Sequence, residues 1–151
     1  MTNDNFVSGA PDLRLASGDM PSKSTSTCLP DPRFWCGRRV LVTGHTGFKG
    51  SWLSLWLSDL GADLHGIALK PDSTPALFEI GALRDKMSSN ICDIRDVEAL
   101  AEKVAGIDPE ICIHLAAQSL VRESYVDPIR TFATNVQGTT NLLDALRAAP
   151  S

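Results

Sequence analysis

Three glycines stand between a short apolar run and a longer apolar segment, and this arrangement restricts the fold more than any other feature. The glycines are Gly44, Gly47 and Gly50. Residues 40–42 have the length and composition of a buried strand, and residues 48–60 have those of a helix capped by Gly61. A chain that bends sharply from a strand into a closely packed helix needs glycine at the bend. The segment therefore predicts a βα unit.

The same spacing indicates a binding turn for a dinucleotide. The first glycine permits the sharp turn, the second leaves room for a pyrophosphate, and the third lets the helix approach the strand. The unpaired amides at the helix start then face the phosphates. The candidate residues of the turn are Gly44, Thr46, Gly47, Phe48, Lys49 and Gly50.

A Walker phosphate loop is the competing interpretation, because Lys49 and Ser51 lie nearby. That motif requires Gly-Lys-Ser/Thr after a spacer of four residues, and Phe48-Lys49-Gly50 stands near that place instead. The spacing therefore favours the dinucleotide turn.

Strands and helices alternate along the rest of the chain. Further strands are predicted at about 64–69, near 91–92 and at 111–115, with helices from about 97 to 106 and from 127 onward. This alternation predicts an α/β fold, a Rossmann-like doubly wound parallel sheet truncated after about four strands. The expected strand order is 3-2-1-4, with the ligand at the carboxyl ends of the strands.

Several side chains on these elements carry their own expectations. Trp52 and Trp56 are expected to pack in the core, and His114 is expected to be a structural histidine rather than a catalytic one. Asp127 is the predicted N-cap of the last helix, and Gly138 marks a close contact on it. The predicted apolar face of that helix includes Phe132, Val136, Leu143 and Leu146.

Composition separates residues 1–30 from the domain at 31–151. The first segment is rich in Ser, Thr, Asp, Gly and Pro, so we expect a disordered tail and no signal or transit peptide. A net charge of −4 gives no sign of a nucleic-acid surface, and no apolar run is long enough for a membrane span. The four cysteines lack metal or redox spacing, so we expect no metal and a reducing, cytoplasmic setting.

Four segments together resemble the extended short-chain dehydrogenase/reductase superfamily. They are Thr-Gly-His-Thr-Gly-Phe-Lys-Gly from Thr43, Asp93-Ile94-Arg95-Asp96, His114-Leu-Ala-Ala-Gln118, and Thr134-Asn-Val-Gln-Gly-Thr139. The resemblance implies that Asp93 and Ile94 contact the adenine and that Asn135 steadies the backbone after the fourth strand. It also implies that four residues lie along the cofactor: Leu115, Ala116, Ala117 and Gln118.

From about Pro30 onward the chain resembles CDP-glucose 4,6-dehydratases more closely. The shared sequence motifs are Phe34-Trp35-x-Gly37-Arg38-Arg39-Val40, Gly-His-Thr-Gly-Phe-Lys-Gly-Ser-Trp-Leu, Thr74-Pro75-x-Leu77-Phe78-Glu79 and Gln118-Ser119-Leu120-Val121-Arg122. This resemblance implies a lyase with NAD that converts a CDP-hexose into a 4-keto-6-deoxy sugar nucleotide for surface polysaccharides. It also implies a homo-dimer for the complete enzyme.

Two observations keep alternatives open. Lys70 would suit the 2′-phosphate of NADP, whereas Asp72 is the nearest carboxylate for the ribose of NAD.

The superfamily's Tyr-x-x-x-Lys base is missing, since four residues after Tyr125 stands Ile129. We therefore assign no catalytic residue, expect the substrate domain to be absent, and expect this chain alone to be inactive. An NAD-dependent nucleotide-sugar epimerase or a non-catalytic dinucleotide-binding module are the alternatives.

Overall fold

The computed structural model of the protein describes residues 30–150. The predicted tail at 1–30 lies outside the described residues except for Pro30, and so does Ser151.

In the described part of the chain, four parallel strands form a single sheet. They are β1 (Arg39–Thr43), β2 (Asp63–Ala68), β3 (Ser88–Ile91) and β4 (Ile111–His114). Their order across the sheet is β3-β2-β1-β4, and every pairing is parallel. The sequence-based prediction of strand order 3-2-1-4 is therefore confirmed. The order reverses between β1 and β4, so a crevice opens beyond their carboxyl ends.

Helices connect the strands and cover both faces of the sheet. They are α1 (Pro32–Trp35), α2 (Phe48–Asp59), α3 (Leu77–Ile80), α4 (Val97–Ile107), α5 (Val121–Val126), α6 (Pro128–Phe132) and α7 (Gly138–Ala148). A 3-10 turn spans Leu83–Asp85, and a π-helical turn spans Ala133–Gln137. The sheet is therefore doubly wound, with α4 packed against α7 on one face and α2 with α3 on the other.

Strand β1 illustrates how the core is divided. Leu41 is buried with Ile67 and Leu100 in one apolar cluster, whereas Val40 and Val42 belong to the cluster on the opposite face. Alternate residues of a strand point to opposite faces, so a central strand covered on both sides is apolar throughout. The continuous apolar run before the glycines is a consequence of this position.

Helix α2 contacts the sheet through small side chains, which contradicts one expectation. Ser51 and Ser54 are fully buried, whereas Trp52 is 56% exposed and Trp56 is 50% exposed. The two tryptophans line an open hollow of about 510 Å³ on the outer side of the helix. Small residues allow a helix axis to lie close to a sheet; here Leu57 packs beside them in the core, while the tryptophans point away. The prediction that both tryptophans are core residues is therefore wrong.

The segment from Pro128 to Ala148 is one continuous helix with a π turn in its middle. The carboxylate of Asp127 accepts a hydrogen bond of 2.9 Å from the amide of Arg130, which confirms the predicted N-cap. A methyl group on Gly138 would lie 2.6 Å from the side chain of Ile94, so the predicted close contact is also confirmed.

The exposed and buried sides of this helix differ from the simple apolar pattern. Phe132 and Leu143 are more than 60% exposed, and Val136 is exposed as well. Leu142 and Asn141 are buried on the side that faces α4. The π turn adds one residue to the helical repeat, so a count of apolar residues at α-helical spacing misassigns the buried side.

Within residues 30–150, no helix combines the length and apolar content that a membrane crossing requires. The same residues contain no cluster of three or more potential metal ligands.

Candidate dinucleotide site

The bend after β1 brings two backbone segments into direct contact. Gly44 has a φ of +73°, and a methyl group added there would lie 2.7 Å from the amide nitrogen of Ala116 and 2.8 Å from the carbonyl oxygen of Leu115. Any other residue would be strained in this conformation and would collide with the segment that follows β4. Gly44 therefore fixes the distance between the carboxyl ends of β1 and β4.

The other two glycines have different surroundings. A methyl group on Gly50 would overlap the carbonyl oxygen of Gly44, so α2 can begin only because Gly50 lacks a side chain. Gly47 has extended backbone, and a methyl group there would meet only the oxygen of Gly44 at 3.4 Å. The space beside Gly47 is therefore open to a ligand rather than filled by the protein.

The start of α2 leaves its own amides available. Among the described residues, no side chain caps this helix at Gly47. The amide of Ser51 is the first to bond within the helix, to the carbonyl of Gly47 at 2.8 Å. The preceding amides of the first turn and the positive end of the helix dipole therefore point into the crevice, an arrangement suited to phosphate oxygens.

Side chains within the turn hold it to the neighbouring strands. Thr46 donates a hydrogen bond of 2.9 Å to the carbonyl of Leu69, which follows β2. The hydroxyl of Ser51 donates to the carbonyl of His45 at 2.9 Å. The imidazole Nε2 of His45 lies 2.7 Å from the hydroxyl of Ser89 on β3. The turn, which follows β1, is thus bonded to the end of β2 and to β3.

His45 was not singled out from the sequence, although a signal for it exists. Its ring is fully buried, lies edge-on to Phe78 with centroids 5.3 Å apart, and occupies the space beside Gly66. A glycine inside a strand often marks the close approach of another group, and Gly66 lies in the middle of β2. Burial lowers the pKa of His45 from 6.5 to about 4, so the ring is neutral near pH 7.

At the end of β3, Asp93 lies at the crevice in a fixed orientation. Its carboxylate accepts hydrogen bonds from the backbone amide and the guanidinium of Arg95, at 2.9 and 2.6 Å. The hydrogen bonds from Arg95 lower the pKa of Asp93, which keeps the carboxylate ionised. Ile94 also borders the crevice, but its side chain is buried in the core and its carbonyl accepts a hydrogen bond from Asn141.

The segment after β4 is held by Asn135. The side-chain oxygen of Asn135 accepts from the amide of Gln118 at 2.8 Å, and its nitrogen donates to the carbonyl of Gln118 at 2.9 Å. Both backbone groups of one residue are therefore paired with a single amide side chain. The geometry agrees with the role that the family resemblance implied for Asn135.

All but one of the candidate residues border one cleft of about 970 Å³. Those that line it are Gly44, Thr46, Gly47, Phe48, Lys49, Gly50, Asp72, Asp93, Ile94, Leu115, Ala116, Ala117 and Gln118. Asn135 stands behind this lining and acts on it through Gln118. Lys70, Ser73, Ser119 and Arg130 also line the cleft. Its size suits an extended ligand with several polar groups.

The chain is similar to known nucleotide-sugar dehydratases and epimerases. The GDP-mannose 4,6 dehydratase family profile matches residues 41–151. CDP-glucose 4,6-dehydratase of Salmonella typhimurium is 56% identical over 117 residues, which cover 78% of this chain and 33% of that protein. UDP-glucose 4-epimerase of Mycolicibacterium smegmatis is 38% identical over 114 residues, 74% of this chain and 35% of that protein. The chain thus spans about a third of these relatives.

Solved structures of nucleotide-sugar epimerases are also similar to this chain. UDP-glucose 4-epimerase of Brucella ovis in complex with NAD matches with a TM-score of 0.63 and 32% identity, over 74% of this chain and 32% of that one. UDP-glucose-4-epimerase of Stenotrophomonas maltophila, with bound NAD and formylated UDP-arabinopyranose, matches with a TM-score of 0.64 and 28% identity. That match covers 73% of this chain and 33% of the epimerase.

The buried imidazole of His45 predicts a loss of stability in mild acid. The unfolded chain binds a proton near pH 6.5, whereas the folded chain resists it until about pH 4. Stability from the neutral ring is therefore complete above pH 6.5 and is lost as the pH falls from 6.5 to 4, by about 3 kcal/mol in total. Urea unfolding of wild type and His45→Gln at pH 7 and pH 4.5 would measure this. Equal pH dependence in the two proteins would refute it.

Proposed function

The chain belongs to the GDP-mannose 4,6 dehydratase family, and we propose that it is the NAD-binding part of a CDP-glucose 4,6-dehydratase. The observation that carries this proposal is the open space beside Gly47, which the uncapped amides of α2 face. Relatives in the same fold hold NAD, and the CDP-glucose enzyme shares more than half of the aligned residues. We propose residues 31–151 as an incomplete NAD-binding domain.

The residues of the cleft suit the parts of a dinucleotide. We propose that the turn from Gly44 to Gly50 holds the pyrophosphate, with the charge of Lys49 beside it. Asp93 and the backbone of Ile94 would recognise the adenine. The backbone from Leu115 to Gln118 would run along the rest of the cofactor.

The adenosine ribose would lie at the end of β2. Lys70 and Asp72 both line the cleft there, and both are exposed. A carboxylate suits the ribose hydroxyls of NAD, whereas a lysine suits the additional phosphate of NADP. We favour NAD because the epimerases with the same fold contain it.

The proposed reaction of the whole protein converts CDP-glucose into CDP-4-keto-6-deoxyglucose, a precursor for deoxysugars of surface polysaccharides. When bound, NAD would supply a hydride acceptor that is regenerated in each turnover. The residues of this chain would bind and orient it. They provide no Tyr-x-x-x-Lys pair, because Ile129 stands four residues after Tyr125. We therefore propose that the chain alone is inactive.

A row of exposed apolar side chains along α5, α6 and α7 suits a second copy of the chain. Its members are Val121, Tyr125, Val126, Ile129, Phe132, Val136 and Leu143. Several large apolar side chains exposed on consecutive helices are typical of protein interfaces. We propose that the complete protein is a homo-dimer that buries this row.

The dinucleotide assignment predicts different effects at two glycines of the turn. Gly47→Val should leave the fold intact, since that position has extended backbone and open space, but should weaken NAD binding by about ten- to a thousand-fold. Gly50→Ala should lower the stability itself by about 1–3 kcal/mol, because its methyl group meets backbone. Calorimetric titration with NAD and NADP, alongside urea unfolding, separates the two effects.

The control is Gly106→Val, which adds the same side chain where no atom outside the chain neighbours and the backbone of its own helix lies within 4 Å. Its NAD affinity should equal that of wild type. If Gly47→Val binds NAD as tightly as the control, the turn does not hold the pyrophosphate.

The substrate assignment predicts a clear result in turnover assays. The 151-residue chain, given NAD and CDP-glucose, should form no 4-keto product. A longer protein that contains it should convert CDP-glucose in preference to UDP- or dTDP-glucose. Epimerisation of a UDP-hexose by the longer protein would favour the epimerase alternative. Cofactor binding with no activity in any longer protein would favour the non-catalytic module.

The dimer proposal predicts that one charge in the apolar row breaks the assembly. Phe132→Glu in the complete protein should shift sedimentation from dimer to monomer, because a carboxylate cannot be buried without a partner. Ala101→Glu, which places the same charge on the exposed side of α4, should remain dimeric. A dimer in both variants would show that the interface lies elsewhere.

A further inference from the structure

His114, at the end of β4, is bonded through both ring nitrogens. Its Nδ1 lies 2.6 Å from the hydroxyl of Thr43 on β1, and its Nε2 lies 3.0 Å from the hydroxyl of Thr139 on α7. The ring thus bridges the strand that precedes the glycine turn and the helix that carries the last motif.

The position of each proton in this bridge follows from counting donors. The hydroxyl oxygen of Thr43 accepts hydrogen bonds from the backbone amides of Leu115 and Ala116, at 3.1 and 3.2 Å. A hydroxyl has two lone pairs and one proton, so its proton must point to Nδ1 of His114. Nδ1 is therefore an acceptor.

The hydrogen bonds of Thr139, at the other end of the bridge, independently indicate the same tautomer of His114. The hydroxyl of Thr139 donates its proton to the backbone carbonyl of Asn135 at 2.8 Å. It must therefore accept from Nε2 of His114, which carries the hydrogen. Both ends require the neutral ring with its proton on Nε2.

The groups held by this bridge border the cleft. The amides of Leu115 and Ala116 belong to the segment that touches Gly44, and Asn135 holds Gln118 in the same segment. The bridge therefore connects the glycine turn, the segment after β4 and the π turn by buried or half-buried hydrogen bonds.

We propose that His114 is a positioning residue whose neutral Nε2–H form fixes the Leu115–Ala116 backbone for the cofactor, and whose protonation releases it. The inference rests on the proposed function, since it assumes that the cleft binds the dinucleotide. Protonation places a hydrogen on Nδ1, facing a Thr43 oxygen that already accepts two amides. One amide must then lose its acceptor, and the Thr43 proton must turn to another group.

The surroundings of the ring leave protonation without compensation. The groups that face it from β1 and α7 are the hydroxyls of Thr43 and Thr139, and neither titrates in the physiological range. Within residues 30–150, no carboxylate or cationic side chain forms a hydrogen bond to the ring. Burial lowers the pKa of His114, in keeping with a ring that remains neutral near pH 7.

The first test reads the tautomer directly by long-range ¹H–¹⁵N correlation spectra of the full chain without ligand. The sequence contains only three histidines, so His45→Gln and His65→Gln variants complete the assignment. We expect the Nε2–H form of His114 at pH 7.5. As the pH falls and the ring protonates, the protection factors of the Leu115 and Ala116 amides, corrected for the slower intrinsic exchange at lower pH, should decrease. The Nδ1–H form, or protection factors that do not change on protonation, would overturn the proposal.

The second test measures NAD affinity from pH 8 to pH 5. Wild type should lose about tenfold, the value of one hydrogen bond, over the pH range in which the tautomer signal is lost. His114→Asn keeps an acceptor toward Thr43 but cannot titrate, so its affinity should be independent of pH. His114→Leu has neither an acceptor toward Thr43 nor a titratable group, so it should bind NAD weakly at every pH. Equal pH profiles for wild type and His114→Asn would refute the positioning role.

The two tests separate this inference from the proposed function. Absence of NAD binding by wild type at every pH would contradict the proposed function, and the tautomer and exchange results would still decide the role of His114 in holding the segment. NAD binding that is lost in Gly47→Val but unaffected by His114 titration would support the function and refute the positioning role.

Discussion

At Gly44 the chain leaves β1 so close to the backbone of Leu115 and Ala116 that no side chain fits between them. The start of α2 rests on the same residue, because Gly50 faces the carbonyl oxygen of Gly44. Two strands and one helix therefore meet through backbone alone. This contact sets the width of the crevice and directs the free amides of the helix into it, and the rest of the site is arranged around it.

Polar side chains keep the segments around this contact in place. Thr46 reaches the end of β2, His45 reaches β3, and Thr43 reaches the segment after β4. Each of these three side chains is buried, and each loses its hydrogen-bonding partners in water when the protein folds. The hydroxyls of Thr43 and Thr46 and the Nε2 of His45 regain directional bonds only in one geometry. The cleft is therefore shaped before any ligand arrives, which favours tight binding.

The sequence was sufficient to predict the strand order and the glycine turn, because strands, glycines and caps have local signatures. The other candidate residues of the cleft, after β3 and β4, came from the family resemblance and not from such signatures. The sequence was misleading about side-chain burial. Trp52 and Trp56 are exposed because Ser51 and Ser54, the smaller residues, face the sheet. The spacing of apolar residues indicates which positions share one side of a helix. It does not reveal how closely the backbone of that helix approaches the sheet.

The contact of His45 was missed for a related reason. Its partner Ser89 is distant in sequence, and only the folded sheet brings the two side chains together. Gly66 was the one local sign of the buried imidazole, since a strand interior seldom needs glycine.

The π turn at Ala133–Gln137 restricts how many residues this part of the helix can contain, rather than which residue types it contains. Asn135 inside the turn bonds to Gln118, and Asn141 one and a half helical turns later bonds to Ile94 on another side. Removing one residue between them would restore regular α-helical winding but rotate one asparagine by about 100° relative to the other. Only one could then keep its partner. Homologues that retain both contacts should differ here by substitution and not by insertion or deletion.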